Sequence, residues 1–383
     1  MILQHQAEEL AKRGHEVHVH CSVYTNIALT ETVEPGDSTE RGVNVHRRRG
    51  LRIPVSNPLE KDLVFPIWFY EAFLPADVLV CVGYPSQHLD LLSLHKKRHP
   101  EIPLVVQNYV TSDFLNEILD GEGGPNKKVR SVYWKTWVQR KLAQADLVIA
   151  DSPSAAIGLR ERLGLDNVVE HIGMAVDPAE FEAVTDRKRK AVRRELGLGE
   201  DKIILAPSRV SPQKGADLLV RAAGPLLKKG WRLAIIGPVN DSAYYEKVRG
   251  LAEPYRERIH FGQLSREKLI PLMMESHIVT LPSRGETVGG VVFEGMYAGC
   301  AVVVSDAVEA AREDYLKDGV NGVLIPAEDV DALQAALKRL MRSGNKKLIA
   351  AGRKTVEERF VWSKSVDRLW THYRRALEDC RGF

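Results

Sequence analysis

His277-Ile-Val-Thr-Leu281, followed after a short turn by Glu286-Thr-Val-Gly-Gly-Val-Val-Phe-Glu294, is the stretch whose reading decides the fold. The first run is apolar and β-branched, which predicts a buried strand. From Gly289 onward Val292, Phe293, Met296 and Tyr297 recur at three- and four-residue spacing, which predicts a helix, and Gly299 closes it. Strand, turn and helix in that order form the unit from which parallel sheets are built. Glycine at the turn lets a ligand approach the main chain, and the bare N–H groups at the start of the helix attract anions. Glu286 sits on the turn and Glu294 on the first turns of the helix, so the pair can hold hydroxyl groups on either side of a phosphate.

Upstream, Pro207-Ser-Arg-Val-Ser-Pro-Gln-Lys-Gly215 follows the apolar run Lys202-Ile-Ile-Leu-Ala206 and precedes a helix beginning near Ala216. Arg209 and Lys214 therefore leave the carboxyl end of a strand, placed to clamp a diphosphate, Arg as a fork and Lys as a point charge. Taken singly, such cations and carboxylates are usually a solvated surface. A basic loop, a helix N-terminus and two carboxylates within one segment point to a bound nucleotide sugar.

The rest of the chain alternates strand and helix. Further strands are expected at 231–236, 258–261, 301–304 and 322–325 in the second half, and at 16–21, 43–47, 77–81, 103–107, 146–150 and 168–172 in the first. This alternation predicts an α/β protein of two doubly wound, Rossmann-like domains, whose strand ends face a shared cleft. Asp177 to Glu200 is charged and reads as the connection between them. At 383 residues the chain is comfortable for two domains.

Ser208-Arg-Val with Lys214-Gly215, the two glutamates 286 and 294, Gly299-Cys-Ala-Val-Val-Val-Ser305, and Asn321-Gly-Val-Leu-Ile-Pro326 with Asp329 and Ala332-Leu333 resemble glycosyltransferase family 4. That group comprises retaining, nucleotide-sugar-dependent transferases with the two-domain GT-B fold. The resemblance is dense from about Ala145 onward and thinner before it. It implies an acceptor-side domain over 1–176, joined by a crossover helix at 362–383 that carries Val366, Leu369, Trp370, Tyr373 and Leu377 on one face. It implies a nucleotide-sugar-binding domain over 177–361. By resemblance, Arg209 and Lys214 neutralise the donor diphosphate, Glu286 contacts the donor sugar near the reacting face, and Glu294 takes the ribose hydroxyls. The backbone of Gln263 and Leu264 meets the base, and Val288, Gly289 and Gly290 present N–H groups. The implied reaction is sugar transfer to an acceptor hydroxyl with retention of configuration and no obligatory metal or other cofactor. A nucleotide-sugar epimerase of the same fold, a non-catalytic nucleotide-sugar-binding protein and a membrane-surface scaffold that has lost the pocket are the alternatives.

Four places depart from the family pattern. Relatives open with a strand and a Gly-rich loop, whereas Met1 here falls inside the helix that follows them, so a chain shortened at its start is expected. At the end of the strand Val105-Val-Gln-Asn-Tyr109 many relatives carry His; Asn108 and Tyr109 are the acceptor-side candidates instead. With a pKa near 10, Tyr is a poor base at neutral pH. His171-Ile-Gly-Met-Ala-Val-Asp177 stands where Pro-Asn-Gly-Val-Asp is usual, and Val308-Glu-Ala-Ala-Arg-Glu313 replaces a Gly-Gly pair.

Composition excludes several classes. A net charge of +3 is too small to imply nucleic acid, and no run of about 18 apolar residues exists to span a bilayer. No basic segment followed by an apolar core marks an export signal. Cys21, Cys81, Cys300 and Cys380 are scattered, which predicts free thiols in a reducing cytoplasm. Glu16, His18 and His20 alternate on one strand, but nothing supplies the further ligands a metal needs. Gly121-Glu-Gly-Gly-Pro125 lies between helices, and no G-x-G-x-x-G follows a strand, which disfavours a nicotinamide enzyme. The basic, Trp-bearing segment Lys127 to Lys141 reads mainly as a helix packed on the first-domain sheet. Its cations, with Arg47, Arg48, Arg49, Arg52 and the aromatic stretch Phe65 to Phe73, also suit an anionic membrane surface and a lipid-linked or polysaccharide acceptor.

Overall fold

The computed structural model describes residues 2–23, 31–49, 51–53, 63–65, 76–83, 87–108, 112–120, 128, 131–227, 230–342 and 344–382. The chain divides into two compact units, Met1–Gly173 with Val366–Phe383, and Met174–Ser365.

In the first unit β1 (His18–Ser22), β2 (Gly36–Glu40) and β3 (Val43–Arg48) form a sheet in the order β1-β3-β2, with β1 parallel and β2 antiparallel to β3. β4 (Leu51–Ile53) and β5 (Leu63–Phe65) make a short antiparallel pair. β6 (Leu79–Val82), β7 (Leu104–Asn108), β8 (Leu147–Ala150) and β9 (Val168–Glu170) form a parallel sheet in that order. Each of the six strands read from the first half is found, but they lie in two sheets rather than one. The added β2, Gly36-Asp-Ser-Thr-Glu40, is exposed throughout and so carries no apolar signal. It is held instead by ladder bonds and by Arg47 and Arg48 on its carboxylates Glu40 and Asp37. The helix Ile2–Lys12 touches both sheets: Ala7 packs with Val43 and Val45, and Leu10 against Val105 and Ile149. The last helix, Trp362–Arg381, lays Leu369, Tyr373 and Ala376 on the same Val105 and Ile149. Gln107 Nε2 donates to the Tyr373 hydroxyl in that contact.

The second unit holds one six-stranded sheet, β10 (Lys202–Ala206), β11 (Trp231–Ile236), β12 (Ile259–Gly262), β13 (Ile278–Leu281), β14 (Ala301–Ser305) and β15 (Val323–Ile325). Its order is β12-β11-β10-β13-β14-β15, with every pairing parallel. Helices cover both faces, so the strands read as continuous apolar runs; β13 and β14 are buried at every position. Each Ile, Leu or Val buried this way contributes about 1.5–3 kcal/mol. Asp241 and Asp329 start two of the covering helices by accepting from the N–H groups of Tyr244 (2.9 Å) and Ala332 (2.8 Å). Phe293 on the helix Gly290–Tyr297 stacks on Phe360 at 4.3 Å and meets Tyr315 edge-on at 4.6 Å, which pins that helix to the body of the unit.

Candidate functional site

β10 and β13 are neighbours in the sheet, yet the chain winds outward from β10 in one direction and from β13 in the other. At such a reversal the loops leaving adjacent strands part, and a crevice opens at the carboxyl ends. The two loops that border it are 207–215, after β10, and 282–290, after β13. They carry Arg209 and Lys214 on one side and Glu286, Val288, Gly289 and Gly290 on the other.

The crevice loops are packed to contact. Gly215 has φ +68, and a Cβ there would lie 2.1 Å from the Pro282 carbonyl oxygen, so only glycine lets the loops close. Lys214, just before it, forms an ion pair with Glu286, and its side chain keeps only 10% of its exposure. Burial, and then the nearby Arg209 guanidinium, lower the Lys214 ammonium to about 8, against the contacting Glu286 carboxylate, which favours the charged form. Arg209 itself is exposed. With Glu286 paired to Lys214, the exposed Arg209 leaves these three groups one net positive charge, suited to an anionic group.

Behind this pair lies a network that sequence reading did not single out. Arg284 donates to both oxygens of Asp217 (3.0 and 3.1 Å), to the Pro212 carbonyl (2.6 Å) and to Glu328 (2.7 Å). Nothing in the spacing of Asp217 and Arg284 announces the pair, because the sheet brings them together across 67 residues.

The helix Gly290–Tyr297 begins at Gly289, which has φ +71 and forms no side-chain cap. Its first N–H groups therefore have no capping side-chain oxygen, and Val292 N–H donates to the Gly289 carbonyl at 2.8 Å. The turn leading into it is sewn to the segment after β14: Glu286 N–H donates to Ala307, and Glu309 and Ala310 N–H return bonds to Glu286 and Thr287. The buried Tyr315 hydroxyl donates to the Val288 carbonyl at 2.6 Å. The replacement of a Gly-Gly pair by 308–313 thus leaves this turn rigidly backed.

Glu294, one turn into the helix, accepts from Arg266 Nη1 at 2.8 Å, and Arg266 also grips Glu180 through Nε at 2.6 Å. Burial pushes the Glu294 carboxyl up, opposed by the Arg266 guanidinium. Arg266 was missed by the sequence reading, although it lies two residues after Leu264. Gln263 and Leu264 follow β12, Gln263 exposed and Leu264 half-buried.

In the first unit Asn108 ends β7, while Tyr109 lies outside the described residues, as do Gly121 to Pro125 and much of the stretch Phe65 to Phe73. His171 is buried, and burial with Arg368 and His372 nearby pulls it to about 3, so it stays neutral. Glu16, His18 and His20 do share a sheet region. His18 bonds Glu16 (3.0 Å) and His46 (2.9 Å), and His46 bonds Asp37 (3.0 Å). Among the described residues no group of His, Cys, Asp or Glu is arranged to hold a metal ion. The four cysteines, all among the described residues, form no disulfide. On the basic segment Trp134, Val138 and Leu142 are buried in the core, whereas Val132, Tyr133 and Trp137 are exposed. No helix among the described residues is long and apolar enough to cross a membrane.

Two family models match this chain: "Glycosyltransferase Family 4" over residues 2–180 and "Glycosyl transferases group 1" over residues 201–343. Among curated proteins, the D-inositol 3-phosphate glycosyltransferase of Salinispora tropica is 27% identical over 97% of this chain and 80% of its own length. Other relatives of the same name, from Geodermatophilus obscurus and Mycolicibacterium smegmatis, align over 73% of this chain; it spans only 62% and 63% of their length. Among solved structures, sucrose-phosphate synthase from Thermosynechococcus elongatus superposes with a TM-score of 0.72 at 18% identity, covering 98% of this chain and 93% of the other. An Anabaena protein solved with UDP and glucose gives 0.71 at 17% identity over 98% of this chain and 95% of its own.

Proposed function

Because the chain belongs to glycosyltransferase family 4 and carries its GT-B type of α/β fold, we propose that it moves a sugar from a nucleoside-diphosphate sugar to an acceptor hydroxyl, with retention of configuration. One observation carries this reading: a buried lysine, an exposed arginine and an uncapped helix N-terminus border the sheet reversal of the second unit. The positive groups of that set suit a diphosphate.

In this reading the acceptor oxygen attacks the anomeric carbon on the face that the phosphate leaves. The glycosidic C–O bond breaks, its electron pair stays on the terminal phosphate oxygen, and the acceptor proton passes to that phosphate. Negative charge therefore builds on the diphosphate in the transition state. Lys214 and Arg209 stabilise it there, and the N–H groups at Val288 to Gly290 add to the same task. Glu286, which pairs with Lys214 in this structure, receives donor sugar hydroxyls, and Glu294 receives ribose hydroxyls beside Arg266. Gln263 and Leu264 offer backbone groups to the base, and Asn108 and Tyr109 lie on the acceptor side. With two cations supplied by the chain, the transfer is metal-independent and survives EDTA.

The relatives' printed names make D-inositol 3-phosphate the first acceptor to try, with UDP, GDP and ADP sugars as donors. Acceptor-dependent release of the nucleoside diphosphate, with an anomeric configuration in the product equal to that of the donor, is the expected result. Sugar interconversion without acceptor would favour an epimerase, and donor binding without turnover a non-catalytic binder.

A second reading concerns location. Val132, Tyr133 and Trp137 are exposed on a helix that also exposes Lys135 and Arg140. We propose that this face rests on the anionic inner surface of a membrane, which brings the enzyme to a lipid-linked acceptor. Binding to phosphatidylserine vesicles that weakens in Trp137→Ala and in high salt is expected; equal binding to neutral vesicles would contradict it.

A further inference from the structure

We propose that Arg284 is a positioning residue: it clasps the loops after β10 and β13 together and thereby fixes Lys214 opposite Glu286. The proposal rests on the donor-site reading above and names how that site is held.

The bonds bracket the pair from both sides. Arg284 Nη1 donates to the carbonyl of Pro212, and its own N–H to that of Gln213 at 2.7 Å, the two residues directly before Lys214. Gln213 Nε2 returns a bond of 2.7 Å to the Gly285 carbonyl, directly before Glu286. Arg284 then reaches past Lys214 to grip Asp217 with both terminal nitrogens. The Asp217 side chain is 4% exposed, and the Tyr244 hydroxyl donates to it at 2.6 Å. Burial alone would push the Asp217 carboxyl up, but Arg284 and Tyr244 hold it below its usual range.

The count of donors separates positioning from ligand binding. A guanidinium has five N–H groups. Nε is spent on Glu328, two of Nη1 on Pro212 and Asp217, and one of Nη2 on Asp217. Little remains for a substrate. Lysine cannot replace this fork, because an ammonium makes no planar bidentate contact. Glu328 adds a sign of construction: it has φ +61, an unusual conformation for a non-glycine residue, at the position where it meets Arg284. The clasp has no slack either, since Gly215 touches Pro282.

The test is nucleotide affinity measured from neutral to alkaline pH in the wild type, Arg284→Lys and Gln213→Ala, with a thermal melt of each. Lys214 faces the Glu286 carboxylate and the Arg209 guanidinium, with Arg284 and Asp217 one loop position behind. In the wild type affinity falls as pH rises through about 8, where Lys214 loses its charge. In Arg284→Lys the loops part and water reaches Lys214, so the midpoint moves up toward the ordinary lysine value of 10.5. Affinity at neutral pH falls about thirtyfold, as for loss of a buried charged contact. Gln213→Ala removes one exposed tie and shifts both quantities the same way by less, which keeps the test open if Arg284→Lys fails to fold. A folded Arg284→Lys protein with wild-type midpoint and affinity would overturn the proposal, as would an unmoved Gln213→Ala if that is the variant that folds. A wild type that binds no nucleotide would instead overturn the donor-site reading, and the proposal with it.

Discussion

In the second unit the winding order of six parallel strands reverses once, between β10 and β13, and each residue of the crevice follows one of the strand ends of that sheet. In the first unit the described strands divide into a three-stranded sheet, a four-stranded sheet and a two-stranded pair, and of the acceptor-side candidates Asn108 ends a single strand, β7. Where one sheet reverses, parted loops must meet again through specific bonds. Here those bonds are the Lys214–Glu286 pair and the Arg284 clasp. On the proposed reading, the contrast places the Lys214–Glu286 pair and the Arg284 clasp at the strand ends that would hold a diphosphate.

The largest effect expected from that contrast is on turnover. Lys214→Ala should lower kcat/KM by about 100- to 1,000-fold, as for loss of one group that stabilises developing charge. Asn108→Ala, in the other unit, should reduce turnover while leaving nucleotide affinity within about twofold. Equal losses of nucleotide affinity in both variants, followed by calorimetric titration, would break the division of labour.

Glycine substitutions sharpen the comparison through stability. Gly215→Ala combines a left-handed φ with a Cβ set 2.1 Å from a carbonyl oxygen, and should cost about 3 kcal/mol or more. Gly14→Ala in the first unit meets a φ of +87 but nothing within 4 Å, and should cost about 1 kcal/mol. Denaturant melts followed by circular dichroism measure both.

A smaller effect is expected with pH. The folded Lys214 value of about 8 is depressed from 10.5, so the charged lysine that a diphosphate needs is fully present below 8 and is lost above it. Nucleotide affinity should therefore fall by up to about tenfold per pH unit beyond that midpoint. His171 and His20 of the first unit, near 3 and 4, are already neutral and contribute no change in this range.

Much of the second unit was legible because its strands are apolar at nearly every position and its turn residues have few alternatives. Lys214 and Glu286, chosen from sequence, are in contact, and Gly289 does begin the helix. Arg284 and Arg266 were not legible: each is one arginine among many, and its meaning comes from Asp217 or Glu180, partners distant in sequence. In the first unit β2 was invisible for the opposite reason, being a polar strand that exists through backbone pairing and surface ion pairs. The basic segment was legible only in part. Alternating burial of Trp134 and exposure of Trp137 follows from a π-helical turn over 134–138, which helical spacing does not foresee.

The central claim is that the reversal between β10 and β13 holds a nucleoside diphosphate, and thermal denaturation with UDP, GDP and ADP tests it most directly. At about 100 times its dissociation constant, the right nucleotide should stabilise the protein by about 2.7 kcal/mol, and the gain should vanish in Lys214→Ala. A wild type that melts cooperatively with no shift from any nucleotide, or a shift that Lys214→Ala retains in full, would contradict the account.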